Sequence, residues 1–141
     1  YLNDSVIEVG ANIPASPATA FNSQGTDPLT VATAASLGTS TLTSLHITGR
    51  TTGGISNSAV LAGTITSASV GLIGVGNGGI PQGLAANHFG AFSGSAAGRG
   101  LRLGKAQLAS ETALTAYLKA KGFALGDYEI VIGGNPSTTI G

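Results

Sequence analysis

Apolar residues recur at every second position in short runs, and glycine, proline, serine and asparagine separate the runs. In TLTSLHIT (41–48), Leu42, Ser44, His46 and Thr48 alternate with Thr41, Thr43, Leu45 and Ile47. In AVLAGTIT (59–66), Val60, Ala62, Thr64 and Thr66 alternate with Leu61, Gly63 and Ile65. A period of two predicts strands, here diluted by threonine. LTVAT (29–33), ASVGLIGV (68–75) and YEIVI (128–132) read the same way, and SVIEV (5–9) gives a short N-terminal strand. GRTTGGISNS (49–58) has the turn chemistry of a hairpin. The strands are therefore expected to pair antiparallel, in a sheet or sandwich-like body.

Two stretches interrupt the pattern. Pro14 and Pro17 bias their neighbours toward extended backbone, so ANIPASPATAF reads as an arm rather than a helix. This divides the chain into a strand and extended arm (1–28) and one β-rich domain (29–141). Residues 71–100 hold ten glycines and Pro81, which predicts a loop-rich segment. No repeat of fixed period stands out, so a solenoid is not expected.

The clearest local signal lies near the C-terminus. Ser110 can cap a helix whose first turn carries Glu111, and Leu114, Tyr117 and Leu118 form one apolar stripe. Lys119 and Lys121 fall in the last turn, and Gly122 suits the left-handed position that ends a helix, with Phe123 following. A helix is predicted at about 111–121, and the fold class is α+β, mainly β, with that helix packed on a sheet.

Composition then narrows the function. Of 141 residues, Gly, Ala, Ser and Thr make up 74 and Leu, Ile, Val, Phe and Tyr 38, so a core exists among mostly small side chains. Only 12 residues are charged, with zero net charge, and Arg50 is the only charge between Asp27 and Arg99. A free monomer normally keeps a more charged surface, so neighbours are expected to cover this one. Zero net charge disfavours nucleic acid and anionic membranes as partners. Residues 59–80 are long and uncharged enough to cross a bilayer. They are nevertheless rich in Gly, Ser and Thr and lack flanking Lys/Arg or an aromatic belt, so no membrane span is expected.

Catalytic chemistry is thinly represented. The chain has no cysteine, and two histidines, His46 and His88, stand among scattered acids, a pattern that predicts no metal or organic cofactor. Gly74, Gly76 and Gly79 match G-x-G-x-x-G, but Pro81, Gly83 and Gly90 interrupt the helix such a motif needs, and no acid follows before Glu111. No serine stands in a nucleophile elbow. An enzyme is not expected.

Residues 1–12 attract a different expectation. Val6, Ile7 and Val9 can anchor a strand added to the sheet edge of a neighbouring copy, and Asp4 and Glu8 can meet the basic cluster Arg99, Arg102 and Lys105. Composition and this arm point to a non-catalytic subunit of an extracellular or cell-surface filament or pilus-like fibre, whose partners are copies of itself. A virion structural protein, such as a bacteriophage decoration or tail protein, is the close variant. A secreted carbohydrate-binding module is the alternative from another class.

Overall fold

Two long strands, β5 (Ala59–Leu72) and β6 (Gln82–Ala96), run parallel with each residue of the first beside the residue 24 positions later, from Ala59 on Gly83 to Ser69 on Ser93. The computed structural model describes residues 2–3, 6–10, 37–47, 55–56, 58–74, 76, 78, 82–96 and 98–133. Shorter strands share the outer edge of each long one. Along β5 lie β2 (Val6–Val9) and β3 (Thr41–His46), both parallel to it; along β6 lie β8 (Tyr128–Ile132), parallel, and β7 (Arg99–Leu103), antiparallel. A small parallel pair, β1 (Leu2–Asn3) with β4 (Ile55–Ser56), precedes the β2–β5 pair. A helix, α1 (Glu111–Lys121), joins β7 to β8.

The α+β, mainly β class is as the sequence predicts, but the pairing is not. Parallel ladders dominate, with β6–β7 the antiparallel pair among the described residues. No hairpin joins β3 to β5, because these strands run in the same direction. The apolar positions explain the register. Leu42 lies beside Ile65 and Ile65 beside Phe89; Leu45, Ala68, Phe92 and Leu103 form a second row; Val60, Leu84 and Ile130 form a third. Each row puts apolar groups of the core together, whereas a one-residue slip would turn them to the other face. The spacing of 23 or 24 is thus a short repeat, contrary to the expectation of none.

The ladder must also curve. From Leu72 to Gly83 the chain has eleven steps, at most about 40 Å, while a straight β5 would be about 43 Å long. Burial records the bend: Val60 and Ala62 face inward, then Ile65, then Ala68 and Val70, with the adjacent Thr66 and Ser67 both exposed. Gln82, fully buried, donates from Nε2 to the Gly74 carbonyl at 2.8 Å and ties the connection back.

The second correction concerns residues 71–100, read as loop-rich. The longest strand lies there, because its glycines serve close packing: a Cβ on Gly90 would meet the Thr66 carbonyl oxygen at 2.3 Å. Phe89 and Phe92 supply the volume between them, and Phe92 packs at 6.4 Å against the Tyr128 ring.

Gly63 marks where the chain leaves and rejoins the ladder. A Cβ there would meet the Gly38 carbonyl oxygen at 2.5 Å and Thr39 Cα at 2.7 Å, and a Cβ on Gly38 would meet the Gly10 carbonyl oxygen at 2.8 Å. Asn87 Nδ2 adds a hydrogen bond to the Gly38 carbonyl at 3.1 Å. The segment read as a projecting arm therefore departs from Gly10 and returns at Gly38 to one point of the sheet; LTVAT (29–33) lies outside the described residues.

Helix α1 forms as its local chemistry predicts. Ser110 has extended backbone, and its Oγ accepts from the Ala113 N–H at 3.1 Å. At the other end Gly122 is left-handed, φ 72°, and the Phe123 N–H reaches the Leu118 carbonyl at 2.9 Å. Leu114 is buried in the core, with Tyr117, Leu118 and Phe123 packed against it.

Candidate functional site

The ladder has two ends that differ in chemistry. At one, β2 and β3 present their outer edges. Ser40 accepts from Thr64 N–H at 3.0 Å, so the alternation of a parallel pair turns the backbone groups of Thr41 and Thr43 away from β5. The edge sequence TLTSLH contains no charge and no proline, the devices that usually block strand addition. Leu42 and Leu45 are half-buried here, packed against the core from its outermost row.

The residues proposed for assembly divide between the two ends. Val9 packs half-buried against the core beside Ala62, and Ile7 is 37% exposed, the only large apolar side chain so exposed among the described residues. Glu8 is exposed, and partial desolvation raises its pKa above the ordinary carboxylate range. Of Val6 only the backbone is described, in β2, and Asp4 lies outside the described residues. Thus β2 is seated on β5 of its own chain. Arg99, Arg102 and Lys105 belong to the opposite end, beyond β6, so within one chain they do not meet β2. Arg99 instead covers the Phe123 ring at 4.4 Å and donates to the Lys121 carbonyl at 2.9 Å, securing the end of α1; Arg102 and Lys105 are exposed.

At that opposite end α1 lies along the outer edge of β8 and leaves a groove. Inner-edge contacts run from the Asp127 carbonyl, which accepts from Gln82, to the Gly133 N–H, which donates to Ala86. Odd-numbered residues of β8 thus bond β6, and the backbone groups of Tyr128, Ile130 and Ile132 point outward. The Tyr128 N–H is taken by Leu125, and the Ile132 N–H donates to Glu111 Oε1 at 2.6 Å. Between these fixed points is a groove of about 380 Å³, walled by Leu114, Thr115 and Leu118 of α1 and by Ile130.

Glu111 and Glu129 both line the groove. Burial raises the Glu111 carboxyl, and repulsion from Glu129 adds to this, while the Ile132 hydrogen bond opposes it. Burial raises Glu129 too, with Asp127 contributing repulsion. No cation lines the groove among the described residues. Sequence reasoning missed this site, because the two acids are 18 residues apart and only the return of the chain after α1 brings them together.

The remaining candidates do not converge. His46 sits beside Ser69, whereas His88 sits beside Thr64, so the two occupy different rows. Among the described residues no group of three or more His, Cys, Asp or Glu side chains could hold a metal ion. The glycine motif leads into β6 rather than into a helix, so its phosphate-binding dipole has no counterpart here. No helix among the described residues is long and apolar enough to cross a membrane. Comparison with protein families, curated proteins and solved structures finds no match to this chain.

Proposed function

We propose that this chain is a non-catalytic, self-assembling structural subunit of an extracellular filament or pilus-like fibre, with a virion structural protein as the close variant. The observation that carries the reading is the β2–β3 edge: outward-facing backbone, no charge on β3, and Ile7, Leu42 and Leu45 partly exposed beside it. Strand addition by another copy satisfies those backbone groups and covers those side chains together. Exchange of β2 between copies is a second way to use the same end, since its seat on Ala59–Ala62 exists in every copy. Light scattering with negative-stain microscopy tests the proposal. Particles several times the mass of one chain are expected, filaments for a fibre or closed shells for a virion protein, and a monodisperse monomer at all concentrations contradicts it.

A carbohydrate-binding module is the second reading, favoured by the rows Thr41–Thr64–His88 and Ser44–Ser67–Ala91 across one exposed face. Tyr128 is buried and Tyr117 half-buried, which leaves no aromatic platform among the described residues. A glycan array read against the monomer separates the two classes.

A further inference from the structure

The groove at the capped end has a chemistry that self-assembly through the other end does not use. Its floor is the outer edge of β8 at Ile130, its wall is the apolar side of α1, and its rim holds Glu111 and Glu129. From Tyr128 to Ile132 it is four residues long, about 13 Å at the usual strand rise, room for three or four residues of extended chain. The alternation of bonds to β6 leaves the Ile130 N–H and carbonyl facing that space, and no hydrogen bond to them from another element is found among the described residues.

Charge selects among possible occupants. Two half-buried carboxylates that repel one another, with no cation among the groove's lining residues, are costly to keep together. An acidic strand such as β2, which carries Glu8, would add to that repulsion; a basic one removes it. A free amine would satisfy the acids but leave the strand edge and the apolar wall unused.

We propose that the groove between α1 and β8 binds an extended, basic peptide segment of a partner protein, which adds a strand to β8 and places a Lys or Arg side chain between Glu111 and Glu129. Main-chain hydrogen bonds to Ile130 supply register, and apolar residues on either side of the basic one pack on Leu114 and Leu118. The inference is independent of how copies assemble, since it uses the other end of the ladder.

The test is fluorescence anisotropy on the full chain with a labelled Thr-Val-Lys-Val-Thr peptide. Saturable binding is expected below about 1 mM, weakened about tenfold or more when the Lys is replaced by Glu or when the central amide is N-methylated. Glu129→Lys is expected to abolish binding; Glu129→Gln, which keeps shape and removes one charge, is expected to weaken it severalfold with unchanged circular dichroism. No saturation at about 1 mM, equal binding of the Lys and Glu peptides, or full affinity in Glu129→Lys would overturn the proposal.

Discussion

The two ends of the ladder are built from the same stacked rows yet finished in opposite ways. At the β7–β8 end the chain turns back and lays α1 along the outermost strand, and Glu111 takes the Ile132 N–H. At the β2–β3 end the outermost strands are bare of charge, and the core's last apolar row, Leu42 and Leu45, is only half-buried. Repeat-like folds need a polar cap where stacking stops. One end has such a cap, so continued stacking is directed to the other.

If the rows are one shared core, damage at the centre must unfold both ends together. Phe92 is 2% exposed and stands between Ala68 and Leu103 in its row. Phe92→Ala is expected to cost about 3–5 kcal/mol, with a single melting transition retained. Two separate transitions in calorimetry would show that the ends fold independently.

Gly63→Ala sharpens the comparison by striking one end. Its Cβ would press on the backbone of Gly38 and Thr39, so β3 must shift away, at an expected cost of about 1–3 kcal/mol. Hydrogen exchange should quicken in β3 while β8 stays protected. Equal quickening of both strands would contradict the local account.

At the capped end, Gly122→Val places a β-branched side chain at φ 72° and is expected to cost more than about 1 kcal/mol. A melt indistinguishable from that of the parent would mean the left-handed ending is not needed to hold α1.

The smallest effect is electrostatic. The carboxyls of Glu111 and Glu129 have pKa values raised by burial, so the folded chain binds their protons more tightly than the unfolded chain does. Their contribution to stability is therefore unfavourable at neutral pH, and it recovers as pH falls through the raised values toward the usual carboxylate range, about 4.3. Melting temperature attributable to this pair should rise on mild acidification. Glu8, also raised, adds in the same direction from the open end. Glu129→Gln should flatten the profile, and a profile as steep as the parent's would remove Glu129 from the account.

What could be read from sequence follows the range of the physics involved. Helix α1 was legible because Ser110, Glu111 and Gly122 act within a turn of their own positions. YEIVI and TLTSLH were legible as strands because alternation is local. Their direction was not, since parallel pairing at 23 or 24 residues depends on how Leu42, Ile65 and Phe89 share volume. Strand β6 was hidden by Gly83, Gly90 and Gly94, whose backbone proximity to Glu129, Thr66 and the side chains of Val70 and Ile73 exists only once the ladder forms. The groove was hidden for the same reason: Glu111 and Glu129 meet through topology.

Selective assembly through the open end can be measured directly, because the chain has no cysteine of its own. Single variants Thr43→Cys, on the outward edge of β3, and Thr115→Cys, exposed on α1, are treated at matched concentration with a short bis-maleimide and resolved by denaturing electrophoresis. The account predicts covalent dimers from the first and monomers from the second, with the dimers lost when Leu42→Pro or dilution disrupts the edge. Equal cross-linking at both positions, or dimers from Thr115→Cys alone, would contradict it.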